Sequence, residues 1–162
     1  MEPTFAYPTL DKATRYESFI RDYLPSIADE HEEVSVLANT TAALRQAFGW
    51  FWIGFYLVRD EHLLLGPFQG DVACYRIRKG RGVCGTAWAK ATTQVVPDVE
   101  KYPGHIACSG KSRSEIVVPL IANGTVHAVL DIDSDTLATF DDTDRHYLEI
   151  LCAHISRELY NR

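Results

Sequence analysis

The sequence predicts an α+β fold, an antiparallel central β-sheet with helices gathered on it. Three observations carry this. Residues 50–58 are dense in aromatic and branched side chains, turn sharply, and return as a second apolar run. Asn123-Gly124 separates two further apolar runs, and that dipeptide is the strongest short-range hairpin signal. Helical periodicity occupies the ends of the chain and one short central segment.

Taken in order, residues 12–30 place Tyr16, Phe19, Ile20, Tyr23 and Leu24 at helical spacing, with Pro25 expected to interrupt. A second helix is expected over 34–48, with Val34, Leu37, Leu44 and Phe48 on its apolar stripe. Residues 50–58 read as a largely buried strand, 59–62 as a tight turn and 63–68 as the returning strand. Period-two alternation then puts Trp50, Trp52 and Tyr56 on one face, where core packing explains them as well as a ligand pocket does.

The stretch 66–82 is rich in glycine and reads as loop. Residues 83–91 form a short helix with Cys84 in its first turn, and 94–96 a brief strand. Residues 97–114 lack periodicity, and a loop of that length in a compact domain is usually functional or disordered. A hairpin follows over 115–121 and 125–133. Asp141, Asp142 and Asp144 then open a C-terminal helix where the macrodipole favours acids.

The 162 residues carry a formal charge of −6. The densest basic stretch, residues 76–81, alternates with apolar residues and glycine, so no concentrated positive field is offered to nucleic acid or an anionic membrane. Met1-Glu2-Pro3-Thr4 has neither the basic nor the apolar region of a secretory signal, and no apolar run approaches a membrane span. A cytoplasmic location is therefore expected, where cysteines tend to be buried, metal-bound or redox-active.

Of the four cysteines, Cys152 lies between Leu151 and Ala153 and reads as a small buried hydrophobe. Cys74, Cys84 and Cys108 fall in or beside loops, where filling a core is a poor use for them. A helix N-terminus lowers a thiol pKa, which favours thiolate at Cys84; His105, Lys111 and Arg113 offer positive charge near Cys108. The rival reading is a zinc site from Cys74, Cys84, His105 and Cys108, against which stands the long separation of the first two. Asp131 and Asp133 share one face of a strand, and Glu115 begins its partner. Three carboxylates at one sheet end can bind an ammonium or protonate an oxyanion; the plainer alternative is a set of solvated strand-end residues.

Several runs are specific enough to place the chain. Gly66-Pro67-Phe68-Gln69-Gly70, Gly80-Arg81-Gly82-Val83-Cys84-Gly85-Thr86-Ala87, Gly104-His105-Ile106-Ala107-Cys108, Ser114-Glu115-Ile116-Val117-Val118-Pro119-Leu120 and Val129-Leu130-Asp131-Ile132-Asp133-Ser134 resemble the free methionine-(R)-sulfoxide reductase family. The likeness covers almost everything beyond residue 33, in order and with similar spacing. Tyr75 stands where the family more often has a smaller residue. Residues 1–15 match no motif and are expected to extend a single GAF domain spanning 1–162.

The resemblance implies a GAF fold with a small enclosed pocket. It implies that Cys108 attacks the sulfoxide sulfur, that Glu115, Asp131 or Asp133 protonates the departing oxygen, and that Cys108 is left as a sulfenic acid. Cys74 is the favoured resolving thiol, with Cys84 as auxiliary or alternative, and thioredoxin or a similar dithiol resets the enzyme. The carboxylates would pair with the substrate ammonium while Trp52 and Tyr56 wall its methyl-sulfoxide end. No metal or organic cofactor is expected; the sequence does not report oligomeric state, and because similar proteins are often dimers the resemblance admits a homodimer. The rival classes are a non-catalytic GAF sensor for a small ligand and a redox sensor whose disulfide gates a partner. Neither sensor class needs steady turnover, which separates them from an enzyme.

Overall fold

The computed structural model describes residues 4–161. Met1, Glu2 and Pro3, on which the expectation about a leader partly rests, lie outside the described residues, as does Arg162.

Helix α1 (Lys12–Ile27) opens at Asp11, whose carboxylate accepts the Thr14 N–H at 2.9 Å. Pro25 does not interrupt it as expected. It falls in the last turn, where only one intrahelical bond is lost, and buried Tyr16, Phe19, Tyr23 and Ile27 hold the helix against the core. Helix α2 (Glu33–Phe48) stops at Gly49, which takes the left-handed conformation. Ahead of α1, Phe5 is buried edge-on to Phe19 and Tyr23, so the N-terminal extension contributes to the core.

Strands β1 (Trp52–Arg59) and β2 (His62–Gln69) form the expected hairpin. A strand missed in the sequence, β3 (Arg76–Arg78), extends it within the glycine-rich stretch. Helix α3 (Gly82–Lys90) and strand β4 (Gln94–Val96) follow, then a 3₁₀ turn at Val99–Lys101. Strands β5 (Ser114–Ala122) and β6 (Thr125–Ser134) make the second hairpin. At its turn Asn123 and Gly124 both take positive φ, the geometry that a two-residue type I′ loop requires. Helix α4 (Asp142–Tyr160) closes the chain behind a capping box between Asp141 and Asp144.

The six strands run β3-β2-β1-β6-β5-β4, every pair antiparallel. Side chains alternate between the two faces. Ile53, Phe55, Ile116, Val118, Leu130 and Ile132 face one core with α1, α2 and α4. Trp52, Tyr56, Val117 and Val129 face the other, with Val83, Cys84 and Trp88 of α3. Trp50 departs from expectation. It precedes β1 and stacks on Phe48 with centroids 4.3 Å apart, in the helical core, so it does not share a face with Trp52 and Tyr56. Among the described residues no helix is long and apolar enough to cross a membrane.

Candidate active site

The α3 face of the sheet carries one polar chamber. Strand register puts Asp133 between Glu115 on β5 and Trp52 on β1, and Asp131 opposite Gly54. The three carboxylates and the indole therefore form a contiguous patch on one face. Cys84 descends onto it from the first turn of α3. Its sulfur and one oxygen each of Glu115 and Asp131 lie within 4.8 Å of one another, all buried. The loop 102–113 brings His105, Cys108 and Ser112 over the patch. A cavity of about 50 Å³, room for a few waters, is lined by seven of the eight residues singled out from the sequence: Trp52, Tyr56, Cys84, Cys108, Glu115, Asp131 and Asp133. Cys74, the eighth, reaches the site through a disulfide to Cys108.

Glycine shapes this floor. A Cβ on Gly54 would collide with the Trp52 ring and come within 2.6 Å of Phe68 Cβ, so the indole lies flat only because position 54 has no side chain. Gly70, at φ +135°, lets the chain pass the other side of the same ring. The indole stacks on Phe68 at 5.3 Å and on Tyr56 at 6.1 Å. The polar ends of both aromatics hold the backbone that carries Cys74. Trp52 Nε1 donates to the Asp71 carbonyl at 2.9 Å, and the Tyr56 hydroxyl donates to the Cys74 carbonyl at 2.9 Å.

The plainer reading of the acids as solvated strand ends fails, since Glu115 and Asp131 are each only 6% exposed. Burying a carboxylate is costly unless it is paired, yet no ion pair among the described residues includes any of the three. Burial raises the pKa of each. Burial, then the charges of Asp131 and Asp133, pushes Glu115 well above the usual carboxylate range. Burial and the Asp131 charge raise Asp133 likewise, although Ser112 donates to its Oδ1 at 2.8 Å. Burial raises Asp131 too, but hydrogen bonding from Glu115 and Cys84 favours its charged form. Asp131 Oδ1 is buried without a hydrogen-bond partner.

The thiols correct two expectations. Burial and the neighbouring acids push the Cys84 thiol well above its ordinary value, overriding the helix N-terminus that was expected to lower it. Near Cys108, Lys111 is paired with Asp71 at 3.2 Å and burial lowers the His105 pKa, so neither is the ready cation the sequence suggested. The Cys74–Cys108 bond removes two of the four ligands of the zinc reading; the donors that do converge are Cys84, Glu115 and Asp131. Cys152 is buried on α4 as expected. Ser112 is the site residue that sequence reasoning missed, because a serine in an aperiodic loop gives no signal until the sheet places Asp133 beneath it.

The GAF domain family matches residues 30–159. The chain is 54% identical to GAF domain-containing protein A of Dictyostelium discoideum, over 85% of this chain and 87% of that one. It is 44% identical to the free methionine-R-sulfoxide reductase of Escherichia coli (strain K12), over 93% and 92%. A crystal structure of the free methionine-R-sulfoxide reductase of Neisseria meningitidis with its substrate superposes at a TM-score of 0.91, with 52% identity over 94% and 92% of the two chains.

Proposed function

The chain belongs to the free methionine-R-sulfoxide reductase family of GAF-domain oxidoreductases, and from that premise we propose that it reduces free L-methionine-(R)-sulfoxide through Cys108. The Cys108 thiolate attacks the sulfoxide sulfur. Glu115 or Asp133, whose pKa values burial and then the Asp131 charge raise, delivers a proton to the oxygen. Oxygen passes to Cys108, methionine leaves, and Cys108 is a sulfenic acid. The Cys74 thiolate then attacks that sulfur, hydroxide departs and takes up a proton as water, and the disulfide forms. Thioredoxin or a similar dithiol returns the bond to two thiols.

The observation that carries this reading is the Cys74–Cys108 disulfide set against buried Glu115 and Asp131 and half-buried Asp133, none in an ion pair among the described residues. A free amino acid supplies a cation. Its ammonium would pair with Asp131 Oδ1, which is buried without a hydrogen-bond partner, where the low local dielectric strengthens the attraction. The Trp52 and Tyr56 rings wall the methyl-sulfoxide end. Cys84, held protonated by burial, is the auxiliary thiol. The residues act within one domain, with no organic cofactor or metal called for by this sequence of steps.

An acylated nitrogen loses both the charge and the fit. Steady turnover with dithiothreitol should therefore be high for free L-methionine-(R)-sulfoxide and fall by as much as roughly 10⁴-fold for its N-acetyl derivative. Equal rates on the two would end the proposal.

A further inference from the structure

The disulfide is not sealed in with the acids. Cys74 and Cys108 are both half-exposed, and the segment around Cys74 presents the two most exposed large hydrophobics of the described chain, Val72 at 81% and Tyr75 at 80%. Exposed apolar side chains on a loose loop would mean little, but this backbone is fixed. The Asp71 carbonyl accepts from Trp52 Nε1, the Cys74 carbonyl from the Tyr56 hydroxyl, and the Tyr75 carbonyl from the Leu65 N–H at 3.0 Å. Three anchors in five residues hold the tyrosine out in water next to a half-cystine.

The charge around it is equally particular. In a chain of net charge −6, residues 71–81 carry Arg76, Arg78, Lys79 and Arg81 against one acid, Asp71. Lys111 neutralises Asp71, and Lys79 lies 5.0 Å above the Trp88 ring. Arg76 and Arg78 both point outward from β3 and make no ion pair among the described residues. A free positive rim thus borders an apolar patch, and the patch borders the disulfide.

We propose that Tyr75 and Val72, rimmed by Arg76 and Arg78, form the docking surface for a thioredoxin-type dithiol protein with an acidic rim, and that its thiolate attacks the Cys74 sulfur. This rests on the reductase reading above, which requires some dithiol to reach this bond. The two sulfurs are not equivalent. Both sulfurs belong to half-exposed residues, but Cys108 lines the chamber, whose rim Val72 and Ala73 also border, whereas Cys74 does not, which directs an outside thiolate to Cys74. Its attack forms a mixed disulfide with Cys74 and breaks the Cys74–Cys108 bond. The electron pair leaves on Cys108, inside the chamber. The partner's second thiolate then displaces Cys74, leaving an oxidised partner and two reduced cysteines here. One displacement has restored the attacking thiolate where the substrate binds.

Two experiments test this on the full chain. With saturating sulfoxide, Tyr75→Ser and, separately, Arg76→Glu/Arg78→Glu should each lower kcat/KM for thioredoxin by about tenfold. The charge-reversed variant should also lose the salt dependence of the parent, while dithiothreitol-driven turnover stays at the parental rate in both. An unchanged kcat/KM for thioredoxin in both variants would overturn the docking surface. Second, thioredoxin with its resolving cysteine replaced by serine should be trapped on the oxidised protein, after acid quench and peptide mass analysis, at Cys74 with Cys108 free. Trapping at Cys108 would overturn the direction of attack. A parent protein without any turnover on dithiothreitol would instead end the reductase reading, and the trapped disulfide would still decide where the partner docks.

Discussion

The hydrogen bond from the Tyr56 hydroxyl to the Cys74 carbonyl offers a measurable link between pocket and disulfide. Tyr56→Phe removes that bond and keeps the ring, and with it the stacking on Trp52 at 6.1 Å. A typical intramolecular hydrogen bond contributes about 1 kcal/mol net, and the Cys74 carbonyl lies where water can replace the lost donor only in part. If the bond belongs to the bridged geometry, its loss lowers the effective concentration of Cys74 at Cys108 by the same free energy, about fivefold. The assay is equilibration of the protein against a graded reduced-to-oxidised glutathione ratio at fixed reduced glutathione, with the bridged fraction read by alkylation and mass. Parent and Tyr56→Phe curves should separate by about fivefold in that ratio, the variant favouring the thiol form. Superimposed curves would show that Tyr56 does not hold Cys74 for bridging.

Other expectations follow from the same geometry. Gly54→Ala drives a methyl into the Trp52 ring and should cost roughly 1–3 kcal/mol by chemical denaturation, with a large rise in KM for the sulfoxide; parental values for both would show that Trp52 does not depend on that gap. Glu115 and Asp133 have folded-state pKa values above their unfolded ones, so their contribution to stability is full below about pH 4 and is lost as pH rises through the folded values. The melting temperature of Glu115→Gln relative to the parent should therefore climb steadily as pH rises, and a falling difference would contradict the assignment. On the helical side, buried Asp144 accepts from Tyr16 at 2.6 Å, Lys12 at 2.7 Å and the Asp141 N–H at 2.8 Å. Asp144→Ala should destabilise by roughly 3 kcal/mol in urea unfolding, against a surface-like change of under about 0.5 kcal/mol if the cluster is incidental.

Much of the fold was legible because its signals are local. Asn123-Gly124 can adopt its turn with no help from the rest of the chain, and the α4 capping box is written in four consecutive residues. The misses are places where tertiary contacts decide. Arg76-Ile77-Arg78 is too short to show alternation and becomes a strand only because β2 offers an edge. Alternation assigned Trp50 to the wrong face because it presumes that the strand has already begun, whereas stacking on Phe48 starts it two residues later. The site shows the same division. Which residues converge on the chamber was readable from the motifs, and period two put Asp131 and Asp133 on one face. The sign of the Cys84 shift was not readable, since it depends on burial beside acids that lie 31 and 47 residues further along the chain. Likewise Trp52 and Tyr56 were legible as rings, but not as donors to the backbone that carries Cys74.

In the proposed reaction, oxygen leaves the substrate for the sulfur at position 108. The direct measurement is single-turnover release of methionine from L-methionine-(R)-sulfoxide by pre-reduced protein without added reductant. Parent and Cys74→Ser should each release about one equivalent per chain, the latter holding a sulfenic acid at Cys108 that dimedone traps, and Cys108→Ser should release none. Methionine release by Cys108→Ser at the parental rate would contradict the account.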